Sequence, residues 1–499
     1  MQAQQRICVK HWCVQPMVQT QDEKSLMRNF SGTWAAYTGF GLVFVSGLFQ
    51  LSGCAAPVMN TPIESSALSA DPAAISKGGY RIDALPDGDS SNELLVVLVG
   101  SGGGKRSSAF SYGVLRGLRD YPITVNGQRR RLLDELDTYA AVSGGAFPAA
   151  YYGLYRERTF EDFEHDFLKV DVNSYIWGLY FLPWRWQWMF SPGYGRGDEM
   201  ATIYDRLIFH GATFADLERR GRPVISIDAT DINYGTVFSF TQDEFDLICS
   251  NLSTYPIANA VAASNGLPIL FTPVTLTNYA KQCAGREPPW IAHAAAPTTT
   301  PREHQLGELA RLYLDPNKTR YVHLMDGGIA DNLAMRFAID KALAYGDDAR
   351  RLHQLGLDHV RRILLISADG EAKRDSDWPR QRSVSDLGQI IASVSGSQID
   401  SYDFETLVLA EDHLQRFVSA LRRIRCAEGP VVDGHACDDV QGFFAHLSIG
   451  DATDENVRAR LQKIPTGLTV SSADVDDLVT VGAQSVRDSK VLAEFSGSL

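Results

Sequence analysis

The sequence predicts an α/β fold organised around a mostly parallel central sheet flanked by helices, and three observations carry that reading. After residue 92, short β-branched runs alternate with longer segments of helical periodicity, the pattern of successive strand–helix units. Two of the apolar runs pass directly into glycine clusters and then into small-residue helices, in "LLVVLVGSGGGKR" and "TYAAVSGGAFPAAYY". The chain has 499 residues, 44% of them hydrophobic, which supports one large buried core with insertions.

The elements follow in chain order. Residues 1–53 read as a leader that carries targeting information in place of fold. The apolar stretch "SGTWAAYTGFGLVFVSGLFQLSGC" is preceded by Arg28 and ends at Cys54, with Lys24 and Arg28 forming a short basic flank and Met27 an alternative start. "LSGC" resembles the lipobox of bacterial lipoproteins, in which Cys54 receives acyl chains and becomes the mature N-terminus. A membrane-spanning helix or an ordinary cleaved signal are the alternatives, and all three export the protein. Residues 54–91, rich in Ala, Ser, Pro, Asp and Gly, read as a lipidated tether. Of the seven cysteines, Cys8 and Cys13 leave with the leader and Cys54 takes the lipid, so Cys249, Cys283, Cys426 and Cys437 remain. In an oxidising compartment, local pairing joins Cys426 to Cys437 and Cys249 to Cys283, with buried free thiols as the alternative.

Strands are expected at 94–100, 138–143, 222–231, 319–327 and 361–370. Helices are expected at 107–119, 145–156, 255–264, 329–344 and 454–462. Residues 92–370 form the expected core, and 371–499 either complete the same domain or make a helical subdomain. Trp184, Trp186 and Trp188 alternate with Arg185 and Gln187, which in an extended segment places three indoles on one face. Such a face suits a membrane–water boundary, a lid over the site, or simply core.

The glycine cluster at 100–104 calls for an anion, and the neighbouring residues exclude two candidates. A phosphate loop needs Lys followed by Ser or Thr and a glycine five places before the last one. Here Arg106 follows Lys105, and Val99 holds the earlier place. A dinucleotide fingerprint starting at Gly100 and Gly102 finds Lys105 where its third glycine belongs. The net charge of −13 argues against nucleic acid as a partner. What remains is an oxyanion hole, which requires a nucleophile on a comparable turn. Ser143, at the end of a strand and followed by Gly144 and Gly145, has that setting. Asp326, at a strand end before Gly327 and Gly328, is the candidate base; an Asp-Gly-Gly on its own is more often a turn. His323, two or three residues earlier, reads as an ordinary sheet histidine.

Together these residues resemble the patatin-like phospholipase family, whose pattern is G-G-G-x-R-G, G-x-S-x-G and D-G-[GA]. By position, Gly102, Gly103 and Gly104 match the oxyanion glycines and Arg106 the arginine. Ser143 and Gly145 match the elbow, and Asp326, Gly327 and Gly328 match the third motif. "ASNGLPILFTPV", residues 263–274, resembles the segment that precedes that motif. Ala141 replaces the first elbow glycine, and Ser107 the glycine after the arginine. The resemblance implies a patatin-like three-layer fold and a Ser143–Asp326 dyad that hydrolyses carboxylic esters of lipids without metal, nucleotide or other cofactor. The expected substrate is a membrane phospholipid or lysophospholipid, and the expected location is the bacterial envelope, lipid-anchored on the outer membrane and facing the periplasm. Arg106 is then a loop organiser or a phosphate contact. Two other readings remain: a Ser–His–Asp carboxylesterase using His413 or His446, and a non-catalytic envelope protein that binds lipid or a partner.

Overall fold

The computed structural model describes residues 57–499 except 71–74, 83, 86–87, 89, 176–193, 269, 284, 298, 346–351, 354, 372–379, 381 and 383–386. The leader 1–53, Cys54, and Trp184, Trp186 and Trp188 lie outside the described residues. Eight strands build the central sheet: β1 (Leu94–Gly100), β2 (Leu136–Val142), β3 (Val224–Asp231), β4 (Thr236–Ser239), β5 (Val274–Thr277), β6 (Tyr321–Met325), β7 (Arg362–Asp369) and β8 (Gln441–Ser448). Their order is β8-β7-β1-β2-β3-β6-β5, with β4 on β3. β8, β7, β1, β2 and β3 are parallel. β4, β5 and β6 join antiparallel. Each residue of β2 and β3 is buried, as parallel strands covered on both faces require.

Helices α1 (Gly104–Asp120), α2 (Ala146–Tyr155) and α3 (Ile257–Ser264) follow the glycine loop, the serine turn and a buried connection, and all three bury nearly every residue. The helix expected at 329–344 is two, α4 (Gly328–Asp331) and α5 (Arg336–Tyr345). Between them Ala334 takes a φ of +57°, and the Asp331 carboxylate accepts from the Arg336 amide at 2.6 Å. A left-handed residue ends a helix, and the carboxylate caps the next one.

The C-terminal part supplies more than helices. After the 42-residue α6 (Leu387–Glu428) comes β8, which pairs along the whole of β7 and forms an edge of the central sheet. Then α7 (Glu455–Leu461) and α8 (Ser472–Asp488) follow, and α8 lies along α1. The approach is close: a Cβ on Gly113 would sit 2.4 Å from the Val479 carbonyl, and one on Gly482 would sit 2.4 Å from that of Phe110. Residues Ala55–Leu499 form one unit.

The stretch read as a tether needs correction. Its described residues are strapped to the body. Asn60 exchanges hydrogen bonds with Thr277 and donates to Ser250 Oγ, and Thr61–Pro62 pairs with Ser250–Asn251. Tyr80 is fully buried and accepts from the Ile225 amide, and Arg81 pairs with Asp243 and Asp246 at 2.6 and 2.7 Å. Polar composition suggested a solvated linker. These side chains instead satisfy buried polar groups of the core, which composition cannot reveal.

Candidate active site

Sheet topology brings the serine and the aspartate together by a route other than the one expected. The sequence places both at strand ends of a mostly parallel sheet, yet β6 runs antiparallel to β3. β2 pairs with β3 up to Val142↔Asp228, while β4 occupies the other side of β3 from Asp228 to Asp231. β6 pairs with Thr230 and Asp231, so it must use the side that β2 has left. The two strands therefore share one edge of β3 and run toward each other. Their ends, Ser143 and Asp326, meet opposite Ala229.

Ser143 has a φ of +48°, a left-handed conformation that costs a non-glycine residue about 1–2 kcal/mol. Its neighbours hold it there. The Ser143 amide donates to Ser264 Oγ at 2.8 Å, and that hydroxyl in turn donates to the Asp228 carbonyl at 2.6 Å. Asn265 Nδ2 donates to the Ser143 carbonyl at 2.8 Å. The side chain then projects so that Oγ donates to Asp326 Oδ2 at 3.0 Å. The other Asp326 oxygen accepts from the Gly328 amide at 2.9 Å. Ser143 and Asp326 are only 4% and 6% exposed. Burial pushes the Asp326 carboxyl up to about 6, against the lowering effect of the hydrogen bonds from Gly328 and Ser143.

The glycine loop passes directly over this turn. A Cβ on Gly144 would lie 2.0 Å from the Gly104 carbonyl oxygen, and one on Gly145 would lie 2.6 Å from that of Gly100. Both elbow glycines are thus required by the close passage of the loop. Gly103 and Gly104 have φ of +127° and +64°. Of the three loop glycines, Gly102 already donates its amide to the Asn332 carbonyl at 2.8 Å. The amides of Gly103 and Gly104 have no acceptor among the described residues, nor does that of Gly144, which follows the serine. Those three N–H groups are the candidate oxyanion donors.

Residues 98–339 match the family described as patatin-like phospholipase. The chain carries a patatin-like phospholipase domain. No curated protein matches it. Among solved structures, human GIVD cytosolic phospholipase A2 aligns at 12% identity with a TM-score of 0.39, covering 82% of this chain and 63% of that one. This chain thus spans less than two thirds of that relative, and so distant a likeness carries no argument about function.

Within the patatin-like domain, Arg106 is buried and donates to the carbonyls of Gly370 (2.7 Å) and Ile464. That makes it an organiser of the loop. Lys105 is also buried and donates to the carbonyls of Phe167 and Val170, with burial lowering its ammonium to about 8. Ser107 donates to the Ser101 carbonyl at 2.6 Å, so the residue that replaces a motif glycine ties the first turn of α1 back to the start of the loop. Gly327 is packed against the Asp228 carbonyl, where a Cβ would sit at 2.4 Å. The residues that sequence reasoning left without a role are Ser264, Asn265, Asn332 and Gly144. Three of them sit in or beside segments the motifs marked, but their bonds depend on chain crossings that no motif encodes.

The candidate histidines lie elsewhere. His446 is on β8, three strand spacings from β2, roughly 14 Å, and its Nε2 stands 3.7 Å from Asp369. His413 is on α6, ten residues from Asp403, and partial burial with Arg302 and Arg416 lowers its value. Among the described residues no histidine bonds Ser143 or Asp326. Cys249 pairs with Cys283 and Cys426 with Cys437, at Cα–Cα separations of 5.8 and 4.8 Å. Among the described residues, one group of potential metal ligands, His353, Asp358 and Glu428, has its ligand atoms within 4.8 Å of one another. It sits at the far end of α6, where His353 and Asp358 already hydrogen-bond at 2.6 Å, and it takes no part in the site.

Proposed function

We propose that this chain is a lipid acyl hydrolase of the phospholipase A or lysophospholipase type that works by a Ser143–Asp326 dyad. The observation that carries this reading is the 3.0 Å hydrogen bond from a left-handed elbow serine to a buried carboxylate. A free aspartate near 3.9 is a weak base for a hydroxyl. Raised to about 6, Asp326 stays ionised at neutral pH and is more basic, and its direct bond to Oγ removes the need for a histidine relay.

In the first step Asp326 takes the Ser143 proton as Oγ bonds to the ester carbonyl carbon, and the carbonyl π electrons move onto oxygen. The amides of Gly103, Gly104 and Gly144 hold that oxyanion. Its collapse breaks the bond to the alcohol oxygen, which receives the proton from Asp326 and leaves the acyl group on Ser143. Water then attacks, giving its proton to Asp326, and Ser143 departs with that proton. The sum is ester plus water to fatty acid plus alcohol.

The test uses fatty-acid release from phospholipid and lysophospholipid vesicles together with fluorophosphonate labelling. Wild type should label and turn over, while Ser143→Ala should do neither and Asp326→Asn should lose turnover by at least about 10³-fold. Labelling and release unchanged by Ser143→Ala would refute the dyad. A folded wild-type protein that fails to label would instead favour a lipid- or partner-binding role.

The same reading places the protein in the bacterial envelope, with an acylated Cys54 as anchor and Trp184, Trp186 and Trp188 as further membrane contacts. Two cysteine pairs within bonding distance support an oxidising compartment. Among the described residues, no helix is long and apolar enough to cross a membrane. Metabolic palmitate labelling that vanishes in Cys54→Ser, with loss of the protein from outer membranes, is the expected result. Equal labelling of both forms would remove the anchor.

A further inference from the structure

The oxyanion loop is held from outside the patatin-like domain, through a side-chain link that no motif marks. Gly102 donates its amide to the Asn332 carbonyl at 2.8 Å, and a Cβ on Gly102 would lie 2.4 Å from Asn332 Oδ1. Asn332 Nδ2 then donates to Asp403 Oδ2 at 2.8 Å. Asn332 and Asp403 are both buried. Asp403 belongs to α6, beyond the matched residues 98–339. On its other side Asp403 hydrogen-bonds the Glu371 carboxyl, and burial together with the neighbouring negative charges pushes both carboxyls up.

The loop needs such support for a physical reason. Successive glycines at positive φ have the least conformational restriction of any residues. An oxyanion hole works only if its donors are already in place when the charge appears. The remaining contacts point the same way, since Gly467 accepts the Lys105 amide at 2.8 Å and Ile464 accepts from Arg106. The C-terminal extension therefore encloses the loop on two sides.

We infer that Asn332 and Asp403 are positioning residues for the oxyanion loop, and that the extension after residue 370 is a working part of the active site. The inference rests on the reading of the dyad given above. Asn332→Ala and Asp403→Ala should lower kcat on a soluble short-chain ester about 10- to 100-fold with KM within twofold. Affinity for a trifluoromethyl ketone analogue of the tetrahedral intermediate should fall in the same proportion. Asp403→Asn, which keeps an acceptor for Asn332, should recover most of the loss. Amide exchange in the peptide spanning residues 100–107 should quicken in both alanine variants and return toward wild type in Asp403→Asn. Unchanged kcat, or unchanged exchange in that peptide, overturns the inference. A wild-type protein that neither labels with fluorophosphonate nor turns over ester sinks the dyad reading instead, and the exchange result then decides the positioning role alone.

Discussion

Asp326 joins the two properties on which the proposed dyad depends, a direct hydrogen bond from Ser143 and a carboxyl made more basic by burial. Because the base must be ionised, kcat/KM should fall on the acid side with an apparent value near 6, about two units above a free aspartate. A pH profile on a soluble ester checks this, and an acid limb at 4 would contradict it. Stability carries the opposite sign. A folded-state value above the unfolded one means that the native protein binds more protons between about 4 and 6, so stability falls as pH rises through that window. Above it the ionised, buried Asp326 costs on the order of 2–3 kcal/mol. Asp326→Asn should therefore raise Tm at pH 8 while abolishing turnover, and the gain should vanish near pH 4. A variant less stable than wild type at pH 8 would show that the carboxylate's hydrogen bonds outweigh its burial.

At the level of elements, the serine turn and the glycine loop form one packed unit. A Cβ on Gly144 meets the backbone of Gly104 at 2.0 Å, and backbone cannot rotate away as a side chain can. Gly144→Ala should cost about 1–3 kcal/mol of stability through overpacking. It should also lower kcat far more than that loss implies, about 100-fold, because the oxyanion donors move with the loop. Thermal unfolding and kcat on the same preparation separate the two effects; a stable and fully active variant would mean the loop yields without penalty. Ala141, by contrast, stands where the family pattern has glycine, and it is buried between Gly100 and Ile227 in the sheet register. The first elbow position lies within the strand, away from the crossing that makes Gly144 and Gly145 obligatory.

For the whole molecule, the N-terminal strap, the disulfides and the C-terminal extension all close around the α/β core. Ile63 and Ile75 pack with the Cys249–Cys283 pair. The bond closes a loop of 34 residues, for which chain-entropy arguments give about 4 kcal/mol. Reduction, or a Cys249→Ala and Cys283→Ala pair, should lower Tm by several degrees and expose the strap to protease before the core. Core and strap cleaved at equal rates would show that the strap is held by its polar contacts alone.

Much of this was legible in the chain. The five principal strands, the glycine loop, the elbow serine and the Asp-Gly-Gly are local patterns, since a strand that enters a tight turn and then a helix needs small residues whatever surrounds it. β8 escaped notice because an edge strand such as "QGFFAHLS" shows no continuous apolar run, and the break at Ala334 escaped because nothing in its neighbours demands a left-handed residue. Residue type and spacing thus singled out Ser143 and Asp326, the proposed nucleophile and base, and the glycine loop. That Ser143 meets Asp326 depends on β2 and β6 sharing one edge of β3, and that the loop is held depends on Asn332 and Asp403 meeting across a gap of 71 residues. Contacts between elements far apart in the chain leave no local pattern, because the hydrogen bonds and close crossings that specify them exist only once the chain has folded.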